Sequence, residues 1–387
     1  MDNLNVLGIV AEYNPFHNGH KFHIEASKKA SGASHTVCVM SGSLVQRGDF
    51  SVFNKWERAR AAILNGVDLV IELPAFYVLQ SAENFCFGAV KLLDSLGVVN
   101  KLSFGSENSD ISLLEKVSHI INGSNKAYNE RFKKLIGEGE SYPVSRAKAL
   151  KETDGFDEKI LSPNNLLGIY YLLALQKLKS KIEPITIKRH MTLHNIKEQS
   201  ENFATASYIR EKILSGNNTD SISHFVPEDY SDCDIFSLKN IEQYMLGFFS
   251  FSENIVSPPG AEEGMMAHIV SCAKSSDTLE EFFEKCTTKR YTLSRIKRVC
   301  LSSMLSIRKE EKELDYIRVL AFNDKGRELI RVINSLSELP VVVKTANFKP
   351  NENSMFKYDV KATDLAYFSK NQKVFGADYK TSPVIFN

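Results

Sequence analysis

Val6-Leu7-Gly8-Ile9-Val10-Ala11-Glu12-Tyr13-Asn14-Pro15-Phe16-His17-Asn18-Gly19-His20 is the stretch on which the reading of this chain turns. Val6 to Ala11 is a short, β-branched apolar run, the pattern of a buried strand. From about Gly19 to Ala30 the spacing predicts a helix. His17 then precedes the helix and His20 lies in its first turn, so both imidazoles can project toward an anion held at the positive helix terminus. Gly19, lacking a Cβ, lets a phosphate approach the backbone closely. Reactions at phosphorus are catalysed largely by positioning and by stabilising charge on the phosphate oxygens. Two such donors supply that without a general base. A histidine pair alone reads as structural or solvent-facing; its place directly after the first apolar strand favours a phosphate site. A zinc site of His17, His20 and His23 lacks a fourth ligand, and His23 reads as a helix residue.

Outward from this joint, short strands alternate with helices. His35 to Met40 reads as a strand and Asn54 to Asn65 as a helix, with Asn54 as N-cap and Gly66 as its stop. Asp68 to Leu73 reads as a buried strand closed by Pro74, Ser81 to Ser95 as a helix, Leu102 to Gly105 as a strand, and Asp110 to Ile121 as a helix. Ser162-Pro163 opens a helix over Asn164 to Lys179, and Pro184 to Arg189 returns to strand. This alternation predicts an α/β fold with a doubly wound, Rossmann-like parallel sheet. Its ligands belong beyond the carboxyl ends of the strands, where the loops after Ala11, at Ser41 and at Gly105 fall.

From about Pro227 the pattern becomes helical: Ile241 to Phe249, Gly264 to Ala273, Thr278 to Lys285 and Leu293 to Lys309. A small α/β tail follows, with strands at Ile317 to Phe322 and Pro340 to Lys344 around a helix from Lys325 to Ile333, expected to pack on the helices. The division expected is a catalytic part over residues 1–220 and a mainly helical part over 221–387.

With 387 residues, 43% hydrophobic, the chain can bury a sizeable core. Lys+Arg 48 against Asp+Glu 47 gives a net charge of +1, so any nucleic-acid contact must come from local clustering. Cys38, Cys86, Cys233, Cys272, Cys286 and Cys300 are scattered without a CxxC pair, which suggests neither a zinc site nor a disulfide framework. No basic leader or membrane-length apolar run stands in the sequence, so a cytoplasmic location with no membrane partner is expected.

Further polar groups fall at the other strand ends. Arg47, in Gln46-Arg47-Gly48, can hold a carboxylate or phosphate in a bidentate fork, or form an ordinary surface ion pair. Gly105, in Phe104-Gly105-Ser106-Glu107, can let adenine or ribose lie against the backbone. Asn164 and Asn165 can bind a ligand or simply cap their helix. Lys188 and Arg189, ending a strand, can hold a polyphosphate or simply carry exposed charge. Ala204 to Arg210 places hydroxyls at a helix start, with Arg210 suited to a triphosphate tail. In the helical part Lys289, Arg290, Arg295, Lys297 and Arg298 concentrate around Tyr291. They form either a solvated helix face or a surface that tracks an RNA backbone.

Taken together, Glu12 to His20, Met40-Ser41-Gly42, Gln46-Arg47-Gly48, Asp68 to Pro74, Phe104 to Glu107, Pro163-Asn164-Asn165 and Thr288-Lys289-Arg290-Tyr291 make the chain resemble the bacterial tRNA(Met) cytidine acetate ligases. These belong to the wider HxGH nucleotidyltransferase superfamily, with the HUP-type fold. The resemblance implies an enzyme that uses ATP to acetylate N4 of the wobble cytidine of elongator tRNA(Met). Acetate attacks the α-phosphate to give acetyl-adenylate and pyrophosphate, and the cytidine amine then attacks the acyl carbonyl. It implies an ATP site formed by Leu7 to His20, Gly105, Asn164 and Arg189, with His17 and His20 catalytic. It also implies tRNA bound partly by the C-terminal half, and a magnesium ion on the pyrophosphate oxygens; no metal ligands in the protein are expected. Two rival readings are a nucleotidyltransferase for a small phosphorylated substrate and a non-catalytic ATP- or RNA-binding protein.

Overall fold

The computed structural model describes residues 4–107, 109–188, 202–216, 219–309, 313–370 and 374–387. Strand β1 (Val6–Ala11) is central, its amino-terminal half buried, and pairs in parallel with β2 (His35–Ser41) on one side. A hairpin of β3 (Leu44–Val45) and β4 (Asp49–Phe50) stands beyond the end of β2, before β5 (Leu69–Leu73), which pairs in parallel with β2. The chain then crosses back to lay β6 (Lys101–Ser106) on the other side of β1, with β7 (Glu183–Lys188) outside it. Strand order therefore reverses between β1 and β6. Parallel strands diverge there, opening a crevice at their carboxyl ends.

The outer edge of β5 does not end the sheet. Strand β8 (Ile317–Phe322) pairs with it antiparallel, flanked by β9 (Val341–Val342) and β10 (Val384–Ile385), completing an eight-stranded sheet. The α/β tail thus supplies strands to the sheet itself rather than only packing on the helices. Its apolar run satisfies the N–H and C=O groups of β5, which would otherwise be bare.

Helices Glu242–Phe251, Met265–Lys274, Leu279–Cys286 and Leu293–Met304 form the helical part around Phe249, Ile269, Phe282 and Ile296, each 0% exposed. The last of these stops short of the expected Lys309. Ser306 turns left-handed (φ 59°), and the Ile307 N–H reaches back to the Ser302 carbonyl at 2.9 Å, closing the helix end.

Candidate functional site

The loop between β1 and helix Asn18–Ser31 is built around its two histidines. His17 is the N-cap, extended at φ −145°, ψ 170°, and its Nδ1 accepts the Gly19 N–H at 3.1 Å. Reciprocally, His20 Nδ1 accepts the His17 N–H at 3.2 Å. This is the geometry of a capping box made by two imidazoles instead of a hydroxyl and a carboxylate. With Nδ1 accepting, each neutral ring carries its proton on Nε2. The rings stack with centroids 3.7 Å apart, and the edge of Tyr13 packs on His20. Both histidines are thus fixed at the carboxyl end of β1, beside the crevice.

Other residues lock this loop. Tyr13 holds φ 47°, and the Asn14–Pro15 bond is cis. Asn14 accepts the Val52 N–H at 2.8 Å, while Arg210 donates to the Asn14 carbonyl at 2.6 Å. The Asn18 N–H bonds Phe225 O, and its side-chain amide bonds the carbonyls of Asn202 and His224. Of the strand residues expected at the ATP site, Leu7 and Ile9 lie in the core, and a Cβ on Gly8 would stand 3.0 Å from Val99. Val10, Ala11 and Glu12 are the part of the strand end that reaches partial exposure.

Arg58 escapes the sequence reading. It is 0% exposed and spends its guanidinium on the carbonyls of Glu12 (2.5 Å), Ser41 (3.1 Å), Gly42 and Phe53 (3.2 Å). The first three lie where β1 and β2 run out of partners, while Phe53 O, before the helix of Arg58, also accepts the Ser51 hydroxyl. The available signal was its helical spacing: Lys55, Arg58, Ala59 and Ala62 share one face, which turns to the sheet.

Glu12 joins this loop to the β3–β4 hairpin by accepting the Gln46 N–H at 2.6 Å. Burial raises its pKa, opposed by that hydrogen bond and by Arg210, Arg58 and Arg47. Arg47 is exposed at the hairpin tip. Burial and the nearby Arg47 charge lower the pKa of Arg210, so cations gather beside the histidine loop.

At the end of β6, Gly105 is half-buried and pairs with Ile187. Glu107 organises the neighbouring helix start: it accepts from Ser162 (2.6 Å), the Asn164 side chain (2.7 Å) and the Asn165 N–H (3.1 Å). Burial acts to raise its pKa, but these bonds hold it below the usual glutamate range. Buried Asn165 in turn accepts the Glu107 N–H at its side-chain oxygen, at 3.0 Å. Asn164 thus reaches the same strand end as Gly105. Lys188 closes β7 as an exposed cation, and Arg189 lies outside the described residues.

The C-terminal cations divide. Lys289 is exposed. Arg290 and Arg295 both pair with Glu262, at 2.7 and 2.6 Å. Lys297 and Arg298 instead face the β3–β4 hairpin: Lys297 meets Asp49 at 3.3 Å, and Arg298 donates to the Gln46 carbonyl at 3.2 Å. Among the described residues no cluster of three His, Cys, Asp or Glu side chains is arranged to hold a metal ion, and no helix is long and apolar enough to cross a membrane.

The model of the HIGH Nucleotidyl Transferase family matches residues 4–380. A tRNA(Met) cytidine acetate ligase of Clostridium perfringens is 37% identical over 99% of this chain and 100% of its own length. One from a Thermoanaerobacter species is also 37% identical, over 97% and 98%. Among solved structures, Thermotoga maritima TmcAL bound with alpha-thio ATP superimposes with a TM-score of 0.88, and its apo form with 0.90, each at 30% identity over 99% of both chains. The chain belongs to the tRNA(Met) cytidine acetate ligase family of the HIGH nucleotidyl transferases.

Proposed function

We propose that this protein is an ATP-dependent ligase that joins acetate to N4 of the wobble cytidine of elongator tRNA(Met). The observation that carries this reading is the mutual cap of His17 and His20 at the carboxyl end of β1, beside the strand-order reversal. The ATP analogue in the Thermotoga protein and the names of the relatives support it.

Acetate is a weak acyl donor because its carboxylate oxygen is a poor leaving group. In the first step that oxygen attacks the α-phosphorus of ATP. A new P–O bond forms, the α–β bridging P–O bond breaks, and pyrophosphate departs with its electron pair. Negative charge grows on the phosphate oxygens, where imidazole donors anchored through Nδ1 need no reorganisation to meet it. Arg47 and Arg210 add positive potential, and Gly105 and Asn164 border the place for the nucleoside. Arg189 is assigned to the same site. A magnesium ion brought with ATP would add positive charge at its phosphates; among the described residues no cluster of carboxylates or histidines is arranged to hold it.

In the second step the cytidine amine attacks the acetyl carbonyl, the bond to AMP breaks, and the amine proton is lost. Residues 1–220 carry the adenylation chemistry, and 221–387 present Lys289, Arg290 and Arg295 to the RNA backbone, for an enzyme working in the cytoplasm. Phosphate contacts of that kind position tRNA without reading its sequence.

The test is mass spectrometry of nucleosides from unmodified tRNA(Met) incubated with the protein, ATP, magnesium and labelled acetate. Labelled N4-acetylcytidine is expected. Pyrophosphate release without it would keep the adenylation chemistry and overturn the acceptor; neither product would overturn the reading.

A further inference from the structure

We infer that Arg298 is a positioning residue for the chemistry at ATP, acting through the Gln46 backbone, rather than part of the grip on tRNA. The inference rests on the ATP-dependent reading above. The Gln46 backbone is held at both of its polar groups. Its carbonyl accepts Arg298 Nη1 at 3.2 Å, and its N–H donates to Glu12 Oε1 at 2.6 Å. The Gln46 side chain adds a bond to the Gln80 carbonyl at 3.2 Å.

One turn further, Gly48 sits at φ 78° against helix Leu293–Met304. A Cβ there would lie 2.6 Å from the Arg298 backbone nitrogen and 2.7 Å from Lys297 Cβ. Lys297 and Asp49 pair beside it. The hairpin tip carrying Arg47 is therefore seated on the helical part on one face and on the histidine loop, through Glu12, on the other.

The geometry makes a consequence measurable. Glu12 is faced by Arg58, Arg210, Arg47 and, from helix Pro163–Leu178, Tyr171. The Gln46 N–H is the largest influence holding its carboxyl down against burial. Removing Arg298 frees the Gln46 carbonyl, lets the backbone rotate about the Gln46 Cα, weakens the bond from its N–H, and lets Glu12 take up a proton at higher pH. Burial, followed by the Arg295 charge, already lowers the Arg298 pKa to about 10. A cation half-buried against a carbonyl is poorly placed to meet a phosphate backbone.

The experiment compares the full chain with Arg298→Ala and Arg298→Lys. It measures acetylation kcat at saturating tRNA across pH, tRNA affinity by filter binding, ATP affinity by calorimetry, and fold by circular dichroism. A hydrogen bond supporting a charged group is worth enough that kcat for Arg298→Ala should fall about tenfold or more, with the acidic limb of the profile moved to higher pH. Its tRNA affinity should stay within about twofold, a factor well below one phosphate contact. Lysine, keeping a donor for the carbonyl, should restore part of kcat. Unchanged kcat at saturation with weakened tRNA binding would overturn the inference.

If Arg298→Ala does not fold, Gly48→Ala, which wedges the hairpin from the helix, must give the same loss of kcat; normal kcat there overturns the inference. If the wild-type protein forms no acetylcytidine, the functional reading fails by itself. ATP affinity then decides this one: weakened binding by Arg298→Ala supports it, and equal binding overturns it.

Discussion

A methyl group on Gly19 would lie 2.9 Å from Cε1 of His17 and 3.0 Å from its Nδ1. Residue 19 is therefore small for the sake of the capping ring, in addition to any approach of phosphate to the backbone. Gly19→Ala should push the imidazole out of its cap while leaving the sheet intact. Loss of an N-cap costs about 1 kcal/mol of stability, a few degrees in melting temperature, whereas the lost alignment should lower turnover roughly a hundredfold. His17→Ala and His20→Ala should abolish adenylate formation. Pyrophosphate release by Gly19→Ala at the wild-type rate would show that the cap does not set the catalytic geometry.

A second buried arrangement joins the two ends of the chain. Lys55 Nζ lies 2.8 and 3.0 Å from the Glu72 oxygens and 2.6 Å from Asp378, and Arg318 pairs with the same two carboxylates. All four side chains are 2% exposed or less. Lys55→Met would leave two buried carboxylates sharing one guanidinium, which should cost about 3–5 kcal/mol in denaturant unfolding. A loss below about 1 kcal/mol would mean that water or rearrangement reaches the cluster. Because β5, β8 and the segment at Asp378 meet here, the loss should appear in one cooperative transition spanning both halves.

What the sequence disclosed followed from local physics. The runs Val6–Ala11 and Ile317–Phe322 are strands with the boundaries their apolar patterns predict. The placement of His17 and His20 at a strand–loop–helix joint was legible because the apolar run ends just before them and the helical spacing begins just after. Arg58 and Lys55 were not, since a cationic helix such as Lys55–Leu64 reads as a solvated face until the carbonyls and carboxylates it serves are known. The union of β8 with β5 was equally hidden. That pairing brings Phe322 opposite Leu69, a separation no periodicity encodes. Lys297 and Arg298 read as part of an RNA-facing cluster for the same reason, because their hairpin partners lie far away in sequence.

Asp359 gives a pH signature. Burial, reinforced by the Glu72 charge, pushes its carboxyl up to about 8, while Lys55, the Ala75 N–H and the Tyr316 hydroxyl act to lower it. The folded chain then holds a proton that the unfolded chain has already released. Stability attributable to this group is full below the unfolded aspartate pKa of about 3.9 and is progressively lost as pH rises toward the folded value. Asp359→Asn can keep an acceptor for the Ala75 N–H at 2.7 Å and offer an amide donor to Tyr316. Melting temperatures should therefore coincide with wild type only below about pH 4, with the variant increasingly the more stable from there to about pH 8. Parallel curves at every pH would refute a raised Asp359.

The RNA-facing reading of the remaining cations has its own test in Glu262. Its carboxylate sits between Arg295 and Arg290, and these two hold its pKa below the usual range, Arg295 foremost. The Arg290 side chain is 70% exposed, and an ion pair so open to water is worth about 0–1 kcal/mol. A phosphate can therefore displace the carboxylate at small cost. Glu262→Gln removes the competing negative charge and should tighten tRNA binding several-fold at low salt, with the gain fading as salt rises. Lys289→Ala combined with Arg290→Ala should act the opposite way, weakening binding and flattening the plot of log affinity against log salt by about one to two units. If neither variant moves tRNA affinity or its salt slope, this patch is a solvated helix face and the RNA backbone runs elsewhere.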